Sequence, residues 1–271
     1  MSVDVEAIKQ GHRAMWTAGD YPTIAKRIES VAGVLVERVG ATGGVDLLDV
    51  ATGTGNVAML AAGAGASVTG LDLTPALLEV ARRRAAEAGA QIELIEGDAE
   101  QLPFPDGSFD RVTSCFGVMF APRQEVAARE LVRVARPGAR IAVAAWTPEG
   151  FVGRSFRVSA GHLPPPPPEL KPPVLWGQED HVRALFANSG GEVTCERRTV
   201  RFEGASIAAW LDEDEKLLGP AVMAKAALEP QGLYEPLRED MVSLYEEVNE
   251  ADDGGFRTEA EYLLTLVQLP A

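Results

Sequence analysis

Val45-Asp46-Leu47-Leu48-Asp49-Val50-Ala51-Thr52-Gly53-Thr54-Gly55-Asn56 decides the fold. An apolar, strand-like run carries a carboxylate at Asp49 and passes directly into a turn with two glycines, after which residues 56–64 read as a helix. Strand, glycine turn and helix in that order build a binding loop at the carboxyl end of a strand. Backbone can approach a ligand closely there, and the helix presents its unpaired N–H groups. A side chain on Gly53 or Gly55 is expected to stand in the way of that ligand, for which a nucleoside-containing cofactor is the natural candidate.

Gly53, Gly55 and Ala58 also fit the loose glycine pattern of nicotinamide and flavin folds. Asp49 argues against a pyrophosphate in this loop, because its charge would face the phosphates; the same carboxylate suits a cationic ligand. Two further strand-like runs deliver carboxylates. Ser67-Val68-Thr69-Gly70-Leu71-Asp72 ends in Asp72, placed to accept hydrogen bonds from ribose hydroxyls. Gln91-Ile92-Glu93-Leu94-Ile95-Glu96-Gly97 is followed by Asp98, placed to take an adenine amino group. Each carboxylate has a second reading as a cap for the turn or helix that follows it, and the combination of three favours the cofactor.

The chain resembles a class I S-adenosylmethionine-dependent methyltransferase, in the small-molecule group that includes ubiquinone and menaquinone methyltransferase-like enzymes. The resemblance rests on Asp49, Gly53 and Gly55, on Asp72, and on Gly97-Asp98-Ala99. It rests also on Leu102-Pro103-Phe104-Pro105-Asp106-Gly107-Ser108-Phe109-Asp110 before the fourth strand and on Leu131-Val132-Arg133-Val134-Ala135-Arg136-Pro137-Gly138 before the fifth. It covers about the first half of the chain; after Trp146 it supports the placement of strands more than the assignment of chemistry. The resemblance implies an α/β, Rossmann-like class I methyltransferase fold, with a mostly parallel seven-stranded sheet, flanking helices, S-adenosylmethionine as cofactor and S-adenosylhomocysteine as product. It sets Asp49 toward the methionine ammonium and the loop from Ala51 through Thr52, Gly53 and Gly55 to Asn56 around the remaining polar atoms. Asp72 then binds the ribose diol, Leu73 packs beside the adenosine, and Asp98 and Ala99 recognise adenine. Two other readings stay open: an NAD-dependent oxidoreductase, and a noncatalytic cofactor-binding or scaffold protein.

Strand-like segments fall near residues 45–50, 67–72, 91–96, 109–114 and 139–146, with helix-compatible sequence between them, as right-handed crossovers require. Thr74 reads as a cap before Pro75, Gly89 as the stop of that helix, and Pro122 as the opening of the next. Residues 1–40 form a helical approach, with Tyr21, Ile24, Ile28, Val31, Leu35 and Val36 on one face. Residues 41–203 and 254–271 make the cofactor-binding core, with a sixth strand at 193–202 and a seventh at 261–269. Residues 204–253 form a helical cap inserted before the last strand, closing a pocket or making a homodimer interface. The proline run from Pro164 to Pro168, followed by Pro172-Pro173, is neither helix interior nor central strand. It reads as a stiff loop joining the fifth strand to a helix at 178–188, and as a wall of the substrate pocket.

A chain of 271 residues, 46% of them hydrophobic, is long enough for one full α/β domain with a cap. A formal net charge of −15 with no cluster of arginine and lysine argues against nucleic acid as a partner. No apolar stretch is long enough for a membrane span and no leader is evident, so a cytoplasmic location and a small-molecule substrate are expected. Cys115 and Cys195 read as small buried hydrophobes, and the three histidines offer no metal ligand set.

An activated sulfonium methyl group needs alignment with a nucleophile and exclusion of water more than it needs a strong base. Ser114 and Phe116, leaving the fourth strand, are expected at the cofactor, and Met119 and Phe120 either at the substrate or in the core. Trp16 and Tyr21 either pack on the sheet or border the cofactor, while Trp146, Trp210 and His162 are placed at the substrate. If a proton must be accepted or the substrate oriented, His162 and Tyr21 are the residues to do it, with a purely structural loop histidine as the other reading of His162. These apolar groups suit an aromatic or polyketide-like body, with natural-product tailoring as the setting and quinone biosynthesis second. Methyl transfer to an apolar or aromatic metabolite by in-line substitution is the resulting expectation.

Overall fold

The computed structural model describes residues 4–271. Three helices lead to the sheet: α1 (Val5–Thr17), α2 (Tyr21–Ala25) and α3 (Glu29–Val39). Asp4 caps α1 by accepting the Ala7 amide hydrogen bond, and Gly40, left-handed at φ +73°, ends α3. Strand and helix then alternate: β1 (Asp46–Val50), α4 (Asn56–Gly63), β2 (Ser67–Asp72), α5 (Pro75–Ala88), β3 (Ile92–Glu96), β4 (Phe109–Cys115), α6 (Gln124–Arg133) and β5 (Ala135–Trp146). Two helices, α7 (Phe151–His162) and α8 (Glu179–Phe186), lead to β6 (Glu192–Gly204). The insertion α9 (Ile207–Leu217), α10 (Gly219–Leu228) and α11 (Tyr234–Val248) precedes β7 (Phe256–Gln268).

Among the described residues the seven strands form one sheet in the order β3-β2-β1-β4-β5-β7-β6. The first five strands are parallel, and β7 runs antiparallel between β5 and β6. Strand order reverses between β1 and β4. Chains leaving two neighbouring strands there depart to opposite faces, and a crevice opens at the carboxyl ends. Leu47, Leu48, Val50, Ile141, Ala142, Ala144 and Ala145 are buried whichever face they occupy, as parallel strands covered by helices on both sides must be.

Three expectations change. Residues 151–162 are helix α7 rather than loop. A Cβ on Gly153 would stand 2.1 Å from the Thr147 carbonyl oxygen, so this glycine marks close approach of the helix to the end of β5, not a chain break. The seventh strand begins at Phe256, five residues early, because Phe256, Thr258, Ala260 and Tyr262 are buried while Arg257, Glu259 and Glu261 alternate outward. The full pairing of β6 with β7, from Glu192↔Gln268 to Gly204↔Phe256, carries both strands past the end of β5. That projection supports the cap through Phe151, Phe202, Trp210, Tyr245 and Phe256, whose rings meet at 4.9–6.3 Å. Finally, Thr74 makes no side-chain cap on α5, and Asp72 Oδ1 accepts the Thr74 amide instead.

The cap also docks on the leading helices. The Asp20 amide donates to the Leu217 carbonyl at 3.0 Å, and a Cβ on Gly219 would lie 1.9 Å from the Met15 carbonyl oxygen. Arg27 pairs with Asp214 at 2.5 Å and lies 3.8 Å over the Trp210 ring. Helices α1 and α2 are thereby held over the carboxyl ends of the strands.

Candidate functional site

A cavity opens where the strand order reverses, its floor made by the ends of β1, β2, β3 and β4 and its roof by α1 and α2. Ala51 and Phe116, just beyond β1 and β4, have φ of 54° and 57°, in the left-handed region that side chains avoid. The two loops pack tightly here: a Cβ on Gly117 would stand 2.4 Å from the Ala51 Cβ. Backbone strain of this kind collects where a loop is shaped for a ligand.

Asp49 is the innermost charge. It is 2% exposed, and its two oxygens accept Thr52 Oγ1 at 2.6 Å and Thr113 Oγ1 at 2.9 Å. Burial raises its pKa to about 7 against the opposing effect of those hydroxyls. Asp72 is buried too, accepting the Gly53 amide at 2.7 Å and the Thr74 amide at 2.8 Å, with burial again raising its pKa. It therefore fastens the glycine loop to the head of α5 while lining the cavity. Asp98 accepts Lys9 Nζ at 2.6 Å and the Glu100 amide at 2.8 Å.

In the glycine loop, a Cβ on Gly53 would meet Tyr21 at 3.7 Å and one on Gly55 would meet Ala81 at 3.4 Å, and φ values of 57° and 85° favour glycine at both positions. Three of the loop amides already have partners. Thr52 donates to the Leu71 carbonyl, Gly53 to Asp72 and Gly55 to the Thr52 carbonyl, at 2.7–2.9 Å. A pyrophosphate would find those donors committed and the Asp49 carboxylate beneath it.

Of the sequence-named residues, Trp16, Tyr21, Asp49, Ala51, Thr52, Gly53, Asn56, Asp72, Leu73, Asp98, Ala99, Phe116 and Phe120 line the cavity together. Asn56 donates to the Ala25 carbonyl at 2.9 Å and so anchors α2 over the loop. Trp16 stands edge-on to both Tyr21 and Phe120, at 5.1 and 5.0 Å.

Others are elsewhere. Ser114 is fully buried behind the cavity, donating to the Val50 carbonyl at 2.8 Å and accepting the Val118 amide. Met119 is core. Trp146 is core as well, but stacks at 3.8 Å on the Phe116 ring that lines the cavity. Trp210 belongs to the cap's aromatic cluster. His162, at the end of α7, faces Asp240 of α11 at 2.7 Å, outside the cavity lining, and the proline run is exposed. His162 therefore does not share the cavity with Asp49 and Asp72. Tyr21 remains in the cavity, where burial pushes its phenol pKa far up, with Cys115 and Asp72 adding to the effect, so the phenol stays protonated.

Sequence reasoning passed over Lys9 and His12, which enter the cavity from α1, and Cys115 at the end of β4. Lys9, His12 and Trp16 recur at helical spacing on one face of α1, a pattern that groups them without telling what that face covers. Burial lowers the His12 pKa, keeping the imidazole neutral at neutral pH.

The lining is compatible with S-adenosylmethionine: acceptor carboxylates stand at three strand ends beside apolar Leu71, Leu73 and Leu77.

Residues 48–143 match the methyltransferase domain family. The uncharacterized proteins Rv1405c and Rv1403c of Mycobacterium tuberculosis are each 46% identical, the first over 65% of this chain and 65% of its own length, the second over 69% and 68%. The match thus spans just under two thirds of Rv1405c. The demethylmenaquinone methyltransferase of Thermus thermophilus is 43% identical over 41% of this chain and 53% of its own. Among solved structures, a putative methyltransferase of Bacillus halodurans superposes with a TM-score of 0.63 at 23% identity, over 89% of this chain and all of the other, a likeness of fold. Domain match and acid-lined crevice agree: the chain carries a class I S-adenosylmethionine-dependent methyltransferase domain.

Proposed function

We propose that the protein transfers a methyl group from S-adenosylmethionine to an apolar or aromatic small metabolite, in natural-product tailoring. The observation that carries the acceptor class is the wall made by Trp16, Tyr21, Phe116 and Phe120, which shares one cavity with the buried Asp49 and Asp72. Aromatic edges and faces suit a flat conjugated body, and the Thermus thermophilus relative, a demethylmenaquinone methyltransferase by name, supports an acceptor of that kind.

When bound, S-adenosylmethionine supplies a methyl group already activated on sulfur. The chain's part is orientation and exclusion. Asp49 would hold the cationic end, Asp72 the ribose, and Asp98 the base. Helices α1 and α2, which bring Trp16 and Tyr21 to the cavity wall, would help to exclude water. With His162 distant and Tyr21 protonated, neither supplies a strong base; the acceptor's own nucleophilic oxygen, nitrogen or carbon attacks in line, and the Tyr21 hydroxyl is available to orient it. No helix among the described residues is long and apolar enough to cross a membrane.

The test is a screen of small aromatic and polyketide-like metabolites for release of S-adenosylhomocysteine. Turnover with such acceptors supports the assignment, and transfer to RNA or protein with none to small metabolites overturns it.

A further inference from the structure

A lysine 5% exposed on a helix packed over a cavity is costly unless its charge is used. Lys9 Nζ lies 2.6 Å from Asp98 Oδ2 and 2.5 Å from Glu100 Oε2. Glu100 does not depend on it for a counter-charge: its fully buried carboxylate also accepts the Arg123 amide at 2.5 Å and Arg123 Nε at 2.9 Å. Asp98 has no second cation; among the described residues Lys9 alone forms an ion pair with it. The Glu100 amide holds the other Asp98 oxygen at 2.8 Å, so the carboxylate plane is fixed by two bonds from different directions. A carboxylate offers about four acceptor sites, so lone pairs remain, on a side chain 29% exposed at the cavity. Without Lys9, Asp98 would be tethered by one bond, beside another carboxylate.

We propose that Lys9 is a positioning residue for base recognition: acting through Asp98, it fixes an acceptor at the base end of the cavity, so that a 6-aminopurine is selected over a 6-oxopurine. The inference rests on the cavity's assignment to S-adenosylmethionine. A 6-amino group donates to the fixed carboxylate, whereas a 6-oxo group sets acceptor against acceptor. A site built around a buried polar partner discriminates strongly against an analogue that leaves that partner unmatched. A loosened carboxylate turns away and discriminates less.

The test is titration calorimetry with S-adenosylhomocysteine and S-inosylhomocysteine on the wild type, Lys9→Met, Asp98→Ala and the double variant, with circular dichroism to establish folding. Wild type is expected to prefer the adenosyl ligand. Lys9→Met is expected to weaken that ligand about tenfold, the worth of one charge-assisted hydrogen bond, and the inosyl ligand much less. In the Asp98→Ala background, Lys9→Met should leave the ligand ratio unchanged. Equal weakening of both ligands, a preserved or increased ratio in Lys9→Met, or the same fall in ratio without Asp98 would each overturn the proposal. If Lys9→Met does not fold, Lys9→Gln, which keeps a donor without the charge, replaces it, with an intermediate ratio expected and an unchanged ratio overturning. Failure of the wild type to bind S-adenosylhomocysteine strikes at the cofactor assignment instead, and is told apart because it appears before any substitution.

Discussion

Replacing Asp72 by Ala should lower both stability and cofactor affinity. Its oxygens accept the Gly53 and Thr74 amides at 2.7 and 2.8 Å, and deleting the carboxylate leaves both donors without a protein partner. A buried donor left unpaired costs about 1–3 kcal/mol. Relief of the desolvated carboxylate, whose burial raises its pKa, offsets part of this. A net loss of roughly 2–4 kcal/mol remains, and at about 2–3 °C per kcal/mol for a chain of this size the melting temperature should fall by roughly 4–12 °C. Because the same carboxylate fastens the glycine loop and is assigned the ribose, S-adenosylhomocysteine should bind about 1–3 kcal/mol more weakly, or roughly 5- to 150-fold. Asp72→Asn keeps one acceptor oxygen and should show a smaller effect on both measures. Scanning calorimetry and isothermal titration measure the two. An Ala variant that melts within about a degree of wild type would refute the role of Asp72 in holding the loop, and undiminished affinity in a folded variant would remove the ribose assignment.

Asp49 sets a pH dependence. Its folded pKa, about 7, lies above its ordinary value of 3.8, so the folded chain keeps a proton that the unfolded chain releases; this contribution to stability is present in full below pH 3.8 and is lost as pH rises to about 7. A cationic ligand favours the ionised form, so affinity for S-adenosylhomocysteine should rise with pH, approaching tenfold per unit below about pH 7; a flat profile, or one that persists in Asp49→Asn, contradicts this. Gly219→Val should force α10 away from the Met15 carbonyl and cost about 1–3 kcal/mol, and an unchanged melting temperature would show that the cap is not seated on α1. His162→Ala, removing only the exposed contact to Asp240, should leave S-adenosylhomocysteine affinity within about twofold of wild type and stability within about 1 kcal/mol; a larger loss of affinity would return His162 to the site.

The parallel half of the fold was legible because its signals are local. Each strand from β1 to β4 is a short apolar or alternating run ended by a turn, and glycine or proline marks most helix boundaries, as at Gly40, Pro75 and Gly89. The second half hid where tertiary contact overrides local preference. Gly153 sits inside a helix packed so closely on Thr147 that no Cβ fits, and the charged alternation Arg257, Glu259, Glu261 belongs to a strand whose other face covers the core. The floor of the site was legible for the same reason as the strands, since three carboxylates follow three strand ends. Its roof was not: nothing local to Lys9 or His12 tells that α1 returns over Asp98, a contact 89 residues distant. Trp146 and Trp210 show the converse, aromatic residues suited to a pocket that the cap and sheet consume as packing.

Calorimetric titration of the purified chain with S-adenosylhomocysteine, run beside NADH, tests the central claim most directly. Carboxylates at the ends of β1, β2 and β3, with the loop amides of Thr52, Gly53 and Gly55 already committed, predict saturable binding of S-adenosylhomocysteine at one site and none of NADH. Saturable binding of NADH with no heat from S-adenosylhomocysteine or S-adenosylmethionine would contradict it.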